Sequence, residues 1–593
     1  MKYRLVKIIA NVAVMALVFP MSLSAQTEEN PELQKTIQVY SEYKPQISDA
    51  SRISVNPKVY DTLDIQMNLK YSVTTTPLNT DYHIIPLKAV SVTGDKLSEL
   101  YRGEAVVGLG NYLTGLLAVR YMTERSRLKQ SGIELYHFGS AGKVKMTKEV
   151  KVPAGYSNTY ATAYWKRFYE DFTINASIKP FCKTILTYGY DTTYASLINS
   201  EDKNSVRSAL CGVNASVGIA SNDCDEDALR YTANCNYDLY SYNILDLENV
   251  LDINGKVEQK FERISLGLSA DAQLHALNYE PFDPDSALSK FQSVVRVMPY
   301  LKVGANSWKL RVGVNASPLF GGVNTFKIFP DVAFTYGVPD WKIVPFFNLY
   351  GNVDLHSMLD IFDDNPYQDD RLVVLRPTIN KLGFDLGFDG RLKKLITYNM
   401  AFTVRAYDNM YFWTAQRTSQ VYYQNVHQMG VTDYQIGKTN TYYTVVYDKA
   451  TLMKLHGDLG FLFRKMNVGV EANYYKWQAM DSVKYAFYKP IVDVTLSSRF
   501  NIIHPKSNKT KLTIEPQLYC MNYQSEMPKG TDFEKKTIVD LGFEAQYYYN
   551  SVFEIFLDIN NLLSRNNERY LDYPTQRLNF LIGASFSFGG HKE

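Results

Sequence analysis

The stretch LNFLIGASFSF, Leu578 to Phe588, decides how this chain is read. Leu578, Phe580, Ile582, Ala584, Phe586 and Phe588 alternate with Asn579, Leu581, Gly583, Ser585 and Ser587. Successive side chains of a β-strand point to opposite faces, so the segment has a continuous apolar wall and a wall richer in small and polar groups. The segment before it has the same form, with Phe553, Ile555, Leu557 and Ile559 set against Glu554, Phe556, Asp558 and Asn560. Before that, Val539, Leu541, Phe543, Ala545 and Tyr547 oppose Asp540, Gly542, Glu544 and Gln546. The same period recurs at 264–274, 382–389, 397–406, 466–474 and 510–520.

A soluble β-sandwich also alternates, and three features separate the two. Strands of about 10–13 residues exceed the roughly 5–6 of globular sheets and suit a tilted membrane crossing. The connections are asymmetric: Leu392-Lys393-Lys394, Arg464-Lys465 and Asn550-Ser551 read as tight turns, whereas 353–380 and 409–450 read as long loops. Outer-membrane barrels have this asymmetry, with short periplasmic turns and long external loops. The pattern also runs to Phe588, leaving only a tail at 589–593. The expected fold is therefore all-β, an antiparallel transmembrane β-barrel of about 20–22 strands spanning 103–588. The count turns on a turn at Asn111-Tyr112 and on 243–258, which reads as loop or strand.

Composition fits this reading. Aromatic residues make up 14% of the 593, and 46 are tyrosine, whose apolar ring and polar tip suit a membrane–water boundary. Mean hydropathy is −0.24, and past residue 25 no run is apolar and long enough for a membrane helix; barrel strands hide their apolar residues in alternation. With 63 basic and 61 acidic residues, nothing points to a nucleic-acid partner. Cys182, Cys211, Cys224, Cys235 and Cys520 are odd in number and irregular in spacing, matching neither a disulfide scaffold nor a zinc site.

Residues 1–25 read as a signal peptide: Lys2, Arg4 and Lys7, an apolar run from Ile8 to Phe19, and a cleavage site after Ser24-Ala25. Residues 26–102, with Pro31, Pro45, Pro57, Pro77 and Pro86, read as a short irregular segment, periplasmic or lying in the lumen.

Gly583-x-x-Phe586-x-Phe588 resembles the C-terminal signal that outer-membrane barrels present to their assembly machinery. DINNLL from Asp558 to Leu563, then Tyr573-Pro574, then Phe580 to Phe588, is similar to the closing hairpin of TonB-dependent receptors. Gly108 to Tyr112, Tyr43-Lys44-Pro45 and Ser48-Asp49-Ala50 resemble a plug-poor branch of such barrels. The resemblance implies the cell outer membrane, a 22-stranded barrel, and passage or capture of a solute. As partners it implies outer-membrane lipids, the barrel-assembly machinery and a periplasmic energy-coupling or envelope protein. Residues 26–102 are too short for the full plug of that superfamily, and Thr36 to Tyr40 reads as an ordinary short strand or, alternatively, as a short energy-coupling strand. The alternative function is a non-transporting structural subunit of an envelope assembly or secretion complex.

Strand phase nominates lumen residues. Asp385, Asp389, Asp458, Glu471, Asp493, Glu515, Asp540, Glu544, Glu554 and Asp558 share the polar phase with only Arg405 and Arg499 against them. Arg230, Arg296, Lys302, Lys309 and Arg311 occupy it in earlier strands. This predicts an acidic lumen wall facing a more basic one, a field that orients polar solutes or holds a basic segment, unless water simply solvates each charge. Asp360, Asp363, Asp364, Asn365, Asp369 and Asp370 crowd one external loop. They are calcium candidates by ligand type, without EF-hand spacing, or else a solvated acidic loop. Tyr407, Tyr411, Phe412, Trp413, Tyr422 and Tyr423 in the next loop read as a ligand or partner surface, or as a girdle and its cover. His137 and Ser140 read as a girdle histidine beside a loop serine or as a hydrolytic Ser/His pair, and no G-x-S-x-G, Walker loop, dinucleotide fingerprint or H-E-x-x-H accompanies them. Neither catalysis nor a cofactor is expected.

Overall fold

A computed structural model describes residues 101–590, apart from 124–125, 127, 147–150, 190–206, 223–227, 243–245, 279–289, 306, 322–323, 338–341, 369–372, 394, 418–440, 480–482, 504–509 and 527–532. The signal peptide, nearly all of the 26–102 segment, the candidate coupling strand, Asp369, Asp370, Tyr422, Tyr423 and the end of the tail lie outside the described residues.

Twenty-two strands form one antiparallel sheet that closes on itself. The first strand, Gly103–Gly110, pairs with the last, Asn579–Phe588, so that Gly103 stands opposite Phe588 and Gly110 opposite Leu581. Closure is what lipid demands, because an open edge leaves backbone N–H and C=O groups with neither water nor a partner. The turn at Asn111-Tyr112 is a single 3-10 turn, Asn111–Leu113, with Tyr112 and Leu113 at positive φ. The region left open at 243–258 contains most of a strand, Asp246–Phe261. Both ends of the barrel lie on the rim that carries the tight turns, including Glu262-Arg263, 393–395 and 463–465. The opposite rim carries the long connections, which outer-membrane barrels direct outward.

Side chains sort by register. Leu109, Leu117, Ile133, Leu135, Val217, Leu266, Leu268, Ile328, Leu455, Ile555, Phe580, Ile582 and Phe586 are all exposed and belong to one phase of their strands. In water such a surface would be unstable, and in a bilayer it is the lipid-facing belt. Among the described residues no helix is long and apolar enough to cross a membrane.

Strand glycines have a recurrent use. An aromatic side chain on one strand lies over the glycine directly opposite on its neighbour: Tyr164 over Gly132, Tyr300 over Gly267, Tyr350 over Gly383, Phe556 over Gly583 and Phe588 over Gly103. A missing Cβ gives a large ring room to lie across the sheet, covering backbone and packing area that the glycine alone does not supply.

Two departures from the sequence reading stand out. The stretch 409–450 is not one long loop: strands Ile396–Arg417 and Thr441–Leu462 run far above the belt as a paired hairpin, leaving only 418–440 to connect them. A bulge between Tyr407 and Met410, with Asn409 at positive φ, marks where the hairpin changes register. Cys182 and Cys211, directly opposite each other on adjacent strands, form a disulfide that their spacing did not signal.

Candidate functional site

The loops of the outer rim fold together over the mouth. A helix, Met358–Asp364, opens with a capping box in which the Ser357 hydroxyl accepts from the Asp360 N–H and the Asp360 carboxylate accepts from the Ser357 N–H. Its first N–H, at Met358, donates to Glu248 on the barrel wall at 2.8 Å. A ribbon of Lys143–Lys145 paired with Lys151–Pro153 comes from one connection, and a ribbon of Glu568–Tyr570 paired with Tyr573–Pro574 comes from the last.

Where these segments meet, the core is largely tyrosine. Val144, Tyr188, Ile361, Trp413, Tyr443, Tyr488, Tyr523, Tyr570 and Tyr573 are buried in one cluster, with Tyr367 packed against it. The Tyr367 and Tyr573 rings stack with centroids 3.7 Å apart. Buried tyrosine needs a partner for its hydroxyl, and here the hydroxyls tie loop to loop. Tyr188 donates to the Pro574 carbonyl (2.8 Å), Tyr443 to that of Leu571 (2.9 Å), Tyr573 to that of Thr441 (2.6 Å) and Tyr570 to that of Asp364 (2.5 Å). Segments far apart in sequence thus share one apolar core with directed hydrogen bonds, which is the makeup of a fixed cap rather than of independent loops.

One ion pair sits inside it. The Asp364 carboxylate accepts from Trp413 Nε1 (2.8 Å) and the Tyr411 hydroxyl (3.1 Å), and Lys489 Nζ is 3.6 Å away and over the Tyr411 ring. Burial by itself would raise the Asp364 pKa, but the Lys489 charge and the two hydrogen bonds outweigh it and hold the carboxyl below its ordinary value. Burial pushes the Lys489 ammonium down against the pull of Asp364. A carboxylate with a depressed folded pKa stabilises above its unfolded pKa and loses that contribution as pH falls through the folded value. Hydrogen-exchange protection at 411–413 should therefore be independent of pH near neutrality and fall below about pH 4. Asp364→Asn should lower protection at neutral pH by about 2 kcal/mol, less than the roughly 3–5 of a fully buried pair, since Asp364 keeps 27% of its side-chain exposure. An identical acid profile in the variant would contradict this assignment.

The other described carboxylates of the acidic loop, Asp360 and Asp363, are placed separately. Asp360 serves the capping box, and Asp363 pairs with Lys183 on the barrel wall at 2.6 Å. Among the described residues no group of three His, Cys, Asp or Glu side chains is disposed to hold a metal ion.

Below the cap, register carries one face around the sheet. Asp389 stands opposite Asn399, Asn399 opposite Asp458, and Asp458 opposite Glu471; Glu515 stands opposite Glu544, and Glu544 opposite Asp558. Asp385, Asp493, Asp540 and Glu554 lie on the same face, which is the one turned away from exposed Leu386, Met400, Leu496 and Ile555. Like charges directly opposite one another repel. Partners relieve part of this: Arg499 reaches both oxygens of Glu515 at 2.8 and 3.0 Å, and Asn473 donates to Glu471 and Asp493. Arg405 donates to the Tyr350 hydroxyl at 2.9 Å, and Tyr350 bonds to Asp385.

The earlier strands differ from a simple basic wall. Arg296 pairs with Asp271, Lys302 with Glu258 at 2.6 Å, and Arg311 with Asp331 at 2.5 Å. Counting cations by phase passed over carboxylates on the adjacent strand, Asp271 and Asp331, and one strand further on, Glu258. Arg230 and Lys309 share this face by register.

Gly583 faces inward beneath the Phe556 ring, while Phe586 is exposed on the outer face and Phe588 lies over Gly103 toward Tyr121. His137 and Ser140 do not meet. His137 is on the outer face, within 2.7 Å of the Thr159 hydroxyl, whereas Ser140 is buried, donating to the Tyr112 carbonyl and accepting from Gln576.

These features define a closed 22-stranded transmembrane β-barrel with a capped outer mouth. The same fold occurs in the copper transporter OprC (TM-score 0.59, 10% identity, 83% of this chain and 81% of that one). It occurs in the FrpB iron transporter from Neisseria meningitidis, F5-1 variant (TM-score 0.60, 8% identity, 83% of each chain). It occurs also in the siderophore receptor PirA from Acinetobacter baumannii (TM-score 0.57, 10% identity, 83% of this chain and 81% of that one). No protein-family model and no curated protein sequence matches the chain.

Proposed function

We propose that this chain is an outer-membrane, TonB-dependent-receptor-like barrel that captures a solute at its outer face and passes it inward through a gated lumen. The observation that carries the reading is the cap: a barrel of this size whose outer loops share a common hydrogen-bonded core is built to be closed at rest. The acidic face formed by Asp385, Asp389, Asp458, Glu471, Asp493, Glu515, Asp540, Glu544, Glu554 and Asp558 supports a lumen that favours cationic or strongly polar cargo. The fold relatives are transporters or receptors for copper, iron and siderophores, so a metal or metal chelate is the first cargo class to test.

The cap also favours a second reading, a sealed barrel serving as a structural subunit of an envelope assembly. Cellular metal content, measured with ferric-siderophore or copper supply in cells with and without the chain, separates the two. Capture and passage predict a several-fold deficit without it. Equal metal content, together with recovery of the chain in a stoichiometric complex in mild detergent, would favour the structural subunit.

A further inference from the structure

We propose that the outer rim carries an anion site for a phosphate-bearing ligand, in the cavity between the Lys143–Lys145/Lys151–Pro153 ribbon and the last loop. The cavity has a volume of about 220 Å³ and is lined by Lys143, Lys145, Lys151 and Arg577, with Tyr112, Asn566, Thr575 and Val144 completing it. Among the described residues no carboxylate lines it. Among the described residues, none of these four cations has an ion-pair partner.

The ribbon's register explains how the charges are gathered. Val144 stands opposite Val152, and this face packs into the tyrosine core. Alternation then puts Lys143, Lys145 and Lys151 on the other face, with Lys145 and Lys151 directly opposite each other. Two ammonium groups held across a short ribbon repel, and the ribbon cannot slip by one residue to separate them without moving its valines out of the core. Arg577 is brought in from the last loop, just before the closing strand. Four exposed cations gathered around one cavity, with no ion-pair partner among the described residues, set up a positive potential that suits an anion with several acceptor oxygens and more than one negative charge. A phosphate group matches that demand better than a carboxylate.

Two sources present the same chemistry, a soluble phosphorylated ligand and the phosphorylated headgroup of an outer-leaflet lipid. The site lies near the lipid surface, since Tyr112 sits between exposed Leu109 and Leu113 and Arg577 is followed by exposed Leu578 and Phe580. The site does not depend on whether the barrel transports, because an anion can occupy it in a sealed barrel as well.

The test uses the full chain in nonionic detergent or nanodiscs, with inorganic pyrophosphate in one arm and lipid A with or without its phosphates in the other. Calorimetric binding of pyrophosphate supports the site and marks a soluble source. Phosphate-dependent binding of lipid A without pyrophosphate binding supports it and marks a lipid source. In either case Lys145→Ser/Lys151→Ser should weaken binding by about tenfold or more, with the affinity falling as salt is raised. Lys145→Arg/Lys151→Arg should retain it, and heat-modifiable gel mobility should confirm that each variant is folded. Absence of binding in both arms, lipid A binding indifferent to its phosphates, or equal binding by the folded serine variant would overturn the proposal.

Discussion

Gly583→Val is expected to abolish the folded barrel. Gly583 stands opposite Gly108 on the first strand and Phe556 on the strand before the last, so it sits in the seam that closes the sheet. A Cβ there would collide with the Phe556 ring on one side and the Val107 carbonyl oxygen on the other. The ring can rotate, but the carbonyl belongs to the backbone of the first strand. Overpacking a deformable core costs about 1–3 kcal/mol; here relief requires the two seam strands to part, which leaves backbone groups unpaired in lipid. Heat-modifiable mobility and membrane insertion of the variant report the outcome. Phe556→Ala tests the cause: it should leave the barrel folded, because the glycine still accepts the close approach of Val107, and it should not rescue Gly583→Val. A folded, heat-modifiable Gly583→Val barrel would show that the seam tolerates the shift.

Tyr573→Ala should open the cap while leaving the barrel intact. The Tyr573 ring stacks on Tyr367 and meets Tyr188 edge-on, and its hydroxyl holds the Thr441 carbonyl. Two of those partners come from separate connections of the outer rim and the third begins the second strand of the tall hairpin, so truncation removes a joint shared by all of them. Emptying a buried aromatic site costs about 3–5 kcal/mol, which corresponds to a rise on the order of a hundredfold or more in the population of the open cap. Hydrogen exchange at 441–447 and 570–574 should accelerate accordingly, with the strands of the belt unchanged. Tyr573→Phe keeps the ring and loses only its hydrogen bond, so it should cost about 1 kcal/mol. Protection in Tyr573→Ala equal to that of the parent chain would remove the cap from the account of gating.

The belt was legible in the sequence because one face meets lipid and the other a polar lumen, and that contrast writes itself as a period of two. At 264–274 and 466–474 the alternation located strands that prove to run Ile264–Asn278 and Met466–Ala479. Above the belt the contrast disappears. Phe412 and Trp413 are neighbours on opposite faces of the tall hairpin, and both are fully buried, one against Ala450 and Ala486 and the other in the tyrosine core. With both faces packed there is no alternation to read, so this part of the hairpin resembled a loop. The cap was hidden for a related reason. Tyr188, Tyr443, Tyr488 and Tyr573 are separated by tens to hundreds of residues, and the abundance of tyrosine was more naturally assigned to a girdle. The ion pair of Asp364 was obscured because Lys489 lies in another connection. The cross-strand partners Glu258, Asp271 and Asp331 could have been found by extending the phase count to acids in the early strands.

The last connection couples the wall of the barrel to its cover. Tyr570, Leu571 and Tyr573 sit at the heart of the cap, and they are carried by the segment that runs directly into the closing strand. An incomplete barrel therefore lacks the central pieces of its own cover, however many of its earlier strands have paired. The wall and its cover thus share one segment, and a chain truncated within its last hairpin would be unclosed and would lack the centre of its cover.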